Sequence, residues 1–431
     1  MAEEWSKVSL QEANVELIDC DHRTPPASDA GYPYVAIPQL RNGHVQLSEV
    51  RRITREDYIE WTRKAKPSPN DVILSRRCNP GETAWVPPGL EFALGQNLVL
   101  LRADGTRVFP PFLRWLVRGP EWWDQIGKFL NVGAVFDSLK CADVPKFELC
   151  IPPLRDQRAI AHILGALDDK IELNRRTNQT LEATARALFK SWFIDFDPVR
   201  AKAEGRQPSG MDAATAALFP RAFTDSELGK IPRNWSVRPL GDLAQNPRRG
   251  VDPSSLAPGT SYVGLEHMPR KSIALGEWGE SDSVASNKFR FAPGEILFGK
   301  LRPYFHKVGV APVDGVCSTD ILVVTPKESH WFAFVLGHAS SEDLVQHADA
   351  TSTGTKMPRT NWQDLARFQV VAPSDAVAGA FDNRVRPMME AIRATIHESR
   401  TLAAARDALL PKLLSGEVRV KDAEQFVEAK T

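Results

Sequence analysis

Apolar residues follow two alternating patterns along this chain. Short runs at 34–37, 72–74, 98–101, 262–265, 295–298, 321–325 and 368–371 are bounded by Pro, Gly and Asn, the length and punctuation of strands. After Pro152-Pro153 the spacing changes: Ile160, Leu164, Leu167, Ile171, Asn174, Asn178, Leu181, Ala185, Leu188 and Trp192 step by four and three. After Pro373 the same steps run through Phe381, Val385, Met388, Ile392, Thr395, Ser399, Leu402, Arg406, Leu409 and Leu413. This is the heptad seam of paired helices, and each seam follows a proline, which a helix tolerates only at or before its first turn. Both seams turn polar at the same two layers, Asn174 and Asn178 over Thr395 and Ser399, which predicts a looser centre able to fix register. One such pattern alone would read as a helix lying on its own domain. Two matched patterns favour packing against each other.

The alternation occurs twice because the chain repeats itself. Trp5-Ser6 with Leu10 matches Trp235-Ser236 with Leu240, residues 33–37 match 261–265, and residues 69–76 match 293–300. From Gly133 to Phe193 the match runs at a constant spacing to Gly354 through Leu414. The spacing falls from 230 to 221, so the first half holds nine more residues, an excess that loops absorb at small entropic cost. The expected fold is α+β, two pseudo-repeated α/β domains with a pair of long coiled-coil helices. The expected boundaries are 1–153, a helix at 154–194, a connector at 195–234, 235–373, a helix at 374–415 and a tail at 416–431. The connector, with several Pro and Gly and a short helical stretch at 212–218, reads as a link that lets the second module rotate.

Composition narrows the function. Fifty-four basic and fifty-four acidic residues leave no net charge, so any contact with a polyanion must be local. Five cysteines without a CxxC pair fit a reducing compartment. The start of the chain lacks a basic, apolar leader and no run is long enough to cross a membrane, so the expectation is a soluble, cytoplasmic protein without membrane contact. No Asn/Asp-Pro-Pro-aromatic tetrapeptide or glycine-rich methyl-donor turn is present. Residues 294–300 fit the start of a phosphate-binding loop, but Leu301 stands where Ser or Thr would bind magnesium, and Glu295 to Phe298 read as strand. No dense histidine or cysteine ligand set suggests a metal.

Three stretches carry a resemblance. Residues 151–164 (IPPLRDQRAIAHIL), 187–199 (ALFKSWFIDFDPV) with the continuation at 211–219, and 409–417 (LLPKLLSGE) resemble the specificity (S) subunit of type I restriction-modification enzymes, over essentially the whole chain. The resemblance implies two target-recognition domains, at about 1–153 and 235–373, each binding one half of a bipartite sequence in double-stranded DNA. It implies two antiparallel helices serving as a spacer and as the docking surface for two methyltransferase subunits, with a motor-nuclease subunit completing the enzyme. The chain itself would catalyse nothing and hold no cofactor, S-adenosylmethionine belonging to the methyltransferase partners. Ile160, Leu164, Leu167, Ile171, Leu181, Leu188, Trp192, Phe381, Val385, Met388, Ile392, Leu402, Leu409 and Leu413 would form the spacer and partner interface.

DNA-reading residues are sought where cations meet aromatic or small polar groups. The richest cluster is Phe289-Arg290-Phe291 with Lys300, Arg302, Tyr304, Phe305, His306 and Lys307, opposed by Glu295 alone. A second is the glycine-containing loop 351–359, with Thr355, Lys356 and Arg359. The matching first-half positions are Arg76, Arg77 and the loop 133–138, which has no cation before Lys140. The basic stretch Arg51, Arg52, Arg55, Arg63, Lys64 and Lys66 is interleaved with Glu56, Asp57 and Glu60 and reads equally well as a solvated helix face. The competing function is a repeat-built protein-interaction adaptor without base readout, which would not need cations at Lys300, Arg302, Lys356 and Arg359.

Overall fold

The computed structural model describes residues 5–47, 50–133, 136–283 and 286–423. The first four residues of the expected first domain, residues 134 and 135 of the first-half loop, and the tail from 424 lie outside this set. The chain forms two compact units, Met1–Asp169 with Leu402–Thr431, and Lys170–Thr401. Their borders fall inside the two long helices, Leu154–Phe189 and Asp375–Leu414, because each unit buries part of both helices in its own core.

In the first unit the central sheet runs in the order Val15–Asp19, Leu98–Ala103, Val72–Ser75, Thr83–Trp85, Gly43–Val45 and Leu40–Arg41. Val72–Ser75 is buried at every position and Leu98–Ala103 at all but one, which is why these strands appear in the sequence as continuous apolar runs rather than as alternation. The second unit builds a four-stranded sheet in the order Ala244–Gln245, Ile321–Pro326, Ile296–Gly299 and Val308–Val310. A five-stranded sheet there contains Lys288–Phe291 beside Gly315–Cys317.

The repeat holds at the level of single residue pairs. Ser6 pairs with Ile151 and Ser236 with Ala372. Tyr34 lies parallel to Ala93, as Tyr262 does to Val316. Leu74 opposes Val99, as Phe298 opposes Leu322. These are the residues that the falling sequence offset superposes, so the two halves share one strand register.

The long helices run antiparallel where they pair. In the second unit Asn174 Nδ2 donates to Ser399 Oγ at 3.2 Å and to Glu398 Oε2 at 2.7 Å, and Thr395 Oγ1 donates to Asn178 Oδ1 at 2.6 Å. The two polar layers of one seam thus meet those of the other. Trp192, Phe381, Val385 and Ile392 are buried in this unit, and Ile160, Leu164, Leu167, Leu402, Leu409 and Leu413 in the first. Ile171, Leu181, Leu188 and Met388 are only half-buried. Beside the seam, Phe189, Met389 and Ile396 are buried in the second unit's core, so a second apolar stripe faces the sheets, wider than a two-stranded coil needs.

The first helix ends in a π turn, Lys190–Ile194, that directs both Trp192 and Phe193 inward. Phe193 packs edge-to-face on Phe381 at 4.8 Å and on Phe334 at 5.0 Å. The connector is not the loose link that its Pro and Gly suggested. Phe196, Val199, Met211 and Phe219 are buried in the second unit's core, and the only helix of the stretch 212–218, Ala213–Ala217, is capped by Asp212.

A charged group replaces an apolar layer in the first unit. Asp168, 3% exposed, is bonded to Arg406 Nη1 at 2.5 Å, with His44 Nε2 at 3.4 Å and Arg114 Nη1 at 3.8 Å. Burial pushes its carboxyl upward, but the His44 bond and the Arg406 charge prevail and hold it at about 2. A depressed folded value contributes stability that is fully present above the ordinary 3.8 and is lost as pH falls towards about 2.

Two predictions concern stability. Asp168→Asn leaves Arg406 and Arg114 buried without their carboxylate and should cost about 3–5 kcal/mol at neutral pH. In urea unfolding, the gap between wild type and variant should narrow between pH 4 and pH 2; a gap independent of pH would show that the charge is not its source. The second concerns Gly337 in the helix Phe332–Ala339, where a Cβ would lie 2.2 Å from the Phe189 ring. Gly337→Ala should lower stability by about 1–3 kcal/mol. Gly379→Ala, in a long helix with nothing nearer than 3.9 Å, should raise it by about 0.5–1 kcal/mol.

Candidate nucleic-acid interface

In the second unit, backbone hydrogen bonds join the two sequence clusters. Beyond the strand Ile296–Gly299, Lys300 N donates to Asp320 O at 2.9 Å and Thr360 N donates to Lys300 O at 3.1 Å. Arg302 N donates to Pro358 O at 2.8 Å, and Leu301 bridges to Arg359. The loop closes on itself through Thr353 N to Arg359 O at 3.0 Å and Arg359 N to Thr353 O at 2.9 Å, with Gly354 at φ +104° making the turn. Lys300, Arg302, Thr355, Lys356 and Arg359 therefore stand on one framed pair of segments. Lys300 and Arg302 are half-buried, and the other three exposed.

The turn Pro303–Phe305 lies between two left-handed residues, Arg302 at φ 49° and His306 at φ 51°. Such backbone costs roughly 1–3 kcal/mol per residue and persists only where its surroundings impose it. Here His306 Nε2 meets Ser340 O at 3.0 Å, while the Arg302 amide is held by Pro358. The turn leaves Tyr304 50% exposed, edge-on to Phe305 at 4.7 Å. The Arg270 guanidinium lies over the Phe305 ring at 4.2 Å and that of Arg302 at 6.0 Å.

Not every cation on this frame is equally available. Arg359 Nε donates to Asp320 Oδ1 at 3.0 Å, a bond that raises its pKa. Lys307 points inward, its Nζ 2.5 Å from Leu265 O, and burial lowers its pKa. Arg290 stands apart on Lys288–Phe291, a strand of the other sheet. It is exposed, its amide bonds to Arg249 O at 2.8 Å, and Arg248 lies over the neighbouring Phe289 ring at 6.0 Å. Arg248 and Arg270 had no clear signal in the sequence, because isolated arginines in loops gain a site only when the backbone brings them to one.

The first unit repeats the frame with different side chains. Arg76 N donates to Asn97 O at 3.0 Å and Leu139 N to Arg76 O at 2.9 Å. Arg77 bridges to Ser138, and Asn131 and Ser138 exchange bonds of 2.9 and 3.0 Å. Arg76 braces this frame from within. Its side chain is 12% exposed, with Nη2 3.9 Å from Asp19 Oδ1 and Nη1 3.5 Å from Leu139 O. Arg77 is exposed. The upstream basic stretch is partly engaged: Arg51 and Arg52 donate to the carbonyls of Pro25 and Gly31, and Lys64 to that of Cys20.

Ligand atoms of Asp19, Cys20 and His22 lie within 4.8 Å of one another. Their hydrogen bonds are already made, His22 to Gln96 O and Asp19, Cys20 Sγ to Gly95 O, beside the cations Arg76 and Lys64. The group thus has a structural explanation that requires no ion.

Comparison with known proteins places this architecture. The profile of the type I restriction modification DNA specificity domain matches residues 4–183. The HindI specificity subunit of Haemophilus influenzae is 24% identical over 400 residues, 81% of this chain and 86% of its own length. The MjaIX specificity subunit of Methanocaldococcus jannaschii is 25% identical over 410 residues, 90% and 87% of the two chains. Among solved structures, the type I S subunit from M. genitalium shares the fold at a TM-score of 0.54 and 13% identity, covering 95% of this chain and 96% of that one. Over most of its length the chain is thus similar to type I restriction-modification specificity subunits. The profile match stops within the first long helix, and the paired strand registers extend the same domain architecture into the second half of the chain.

Proposed function

We propose that this chain is the DNA-reading subunit of a type I restriction-modification enzyme, one recognition unit engaging each half of a bipartite target. The observation that carries this reading is the doubled frame: two units of one register each present the same hydrogen-bonded loop pair. Cations gather on the second unit's copy although the chain has no net charge, which suits contact with phosphates at chosen places rather than along any polyanion. The chain itself performs no catalysis. Methyl transfer from S-adenosylmethionine belongs to two methyltransferase subunits docked on the long helices, and cleavage to a motor-nuclease subunit, in the cytoplasm. A protein-interaction adaptor would leave the exposed Lys356 and Arg77 without a role.

Two measurements test this. Co-expression with a cognate methyltransferase, followed by methylome sequencing, should reveal one motif of two half-sites with a fixed gap, whereas the purified chain alone should transfer no methyl group. Scattered methylation independent of this chain, or transfer by the chain itself, would overturn the reading. In the assembled complex, Lys300→Ala with Arg302→Ala should weaken binding and reduce the slope of log affinity against log salt by about one to two. An unchanged slope in the folded double variant would remove both residues from the DNA contact.

A further inference from the structure

The two equivalent loops share one feature, at their described residues, that their sequences do not advertise. Residues 133–138 read Gly-Ala-Val-Phe-Asp-Ser and residues 354–359 read Gly-Thr-Lys-Met-Pro-Arg, alike only in the first glycine. Three residues after that glycine stand Phe136, 59% exposed, and Met357, 48% exposed. A Cβ on Gly133 would lie 2.4 Å from the Phe136 carbonyl oxygen, and one on Gly354 would lie 3.2 Å from the Met357 carbonyl oxygen. In both loops the glycine thus makes room for the backbone of the apolar residue.

A single exposed apolar side chain needs no explanation. Recurrence at one position of two diverged loops does, because Phe and Met share little beyond an apolar body of similar reach. The surroundings select the occupant. Beside Met357 stand Lys356 and, across the frame, Arg302, whose Nη2 donates to Lys356 O at 3.3 Å. Beside Phe136, Ser138 bridges to Arg77. A cation on the frame of each exposed apolar side chain, Lys356 and Arg302 in one unit and Arg77 in the other, matches a polyanion whose interior is apolar, the base stack of a duplex.

Building on the DNA-reading role proposed above, we infer that Met357 and Phe136 are wedges, each inserted between two adjacent bases of its own half-site. The apolar side chain replaces part of the stacking that it disrupts, and the cations of the frame hold neighbouring phosphates. The recognition units then share a mechanical element even though their base-reading side chains differ.

The test uses the complex with its methyltransferase and duplexes carrying 2-aminopurine at successive positions of both half-sites. With wild-type protein, fluorescence should rise at one step in each half-site. Met357→Ala should abolish the rise in one half-site and Phe136→Ala in the other, each weakening binding by about tenfold. The salt slope should stay unchanged, and Met357→Leu should preserve both signals. Both positions are exposed, so the alanine variants are expected to fold normally, which circular dichroism checks. No rise with wild type bound, or a rise that survives both alanine substitutions, would overturn the wedge while leaving DNA reading intact. An affinity loss that disappears when uracil replaces thymine would also overturn it, assigning the tips to thymine methyl groups. If the wild-type complex selects no DNA sequence, the proposed function fails and the wedge falls with it.

Discussion

Buried polar groups on the long helices must all find partners away from water, and this requirement sets the register on which the rest of the structure depends. Asn174 and Asn178 are 4% and 8% exposed, and an unpaired amide at such a site costs about 1–3 kcal/mol. Sliding one helix by a turn would part Asn174 from Ser399 and Asn178 from Thr395 together. In the first unit the same slide would part Asp168 from Arg406, at greater cost because the groups are charged. Apolar layers alone would tolerate such a shift better, since Leu, Ile and Val exchange neighbours at little loss.

Polar side chains of the same helices also grip the units they belong to. Gln157, fully buried, accepts from Phe109 N at 2.7 Å and donates to the carbonyls of Arg107 and Pro152. In the second unit Asp382 accepts from Ala333 N at 3.1 Å, and Glu182 accepts from Ser272 Oγ, Ile273 N and Ala274 N. Gln157 and Asp382 hold the start of a short helix in their respective units, yet they do not coincide in the repeat. The duplication has therefore kept the task while changing the residue. The charged layer differs likewise: Asp168 and Arg406 correspond in the other half to Met389 and Ala185, both apolar and buried.

How much of this was legible depends on whether a feature is periodic. The strands follow from short apolar runs between Pro, Gly and Asn, both helices and the meeting of the two polar layers from spacings of three and four, and the register of the sheets from the slow drift between the halves. Features that rest on one residue's backbone did not show. Nothing in the sequence marks Arg302, His306 or Phe196 as left-handed, since none is Gly or Asn, and the π turn at Lys190–Ile194 was hidden inside a continuous helical pattern. The connector was misread for a related reason: Pro and Gly suggested pliancy, but Phe196, Val199 and Phe219 supplied enough apolar surface to bury it.

The cation sites show the same limit. The run Lys300 to Lys307 and the loop facing it read as one pool of positive charge, while the fold gives its members different duties. Lys307 turns to a carbonyl, Arg302 spans to the facing loop, and Arg359 is shared with Asp320. In the first unit Arg76 is spent inside the frame that Arg77 merely borders. One backbone scaffold thus carries a charge-rich surface in one unit and a sparser one in the other. Because the hydrogen bonds of the frame are almost all made by backbone atoms, the loop side chains are free to diverge without disturbing it, which is the property a pair of independently varying recognition surfaces requires.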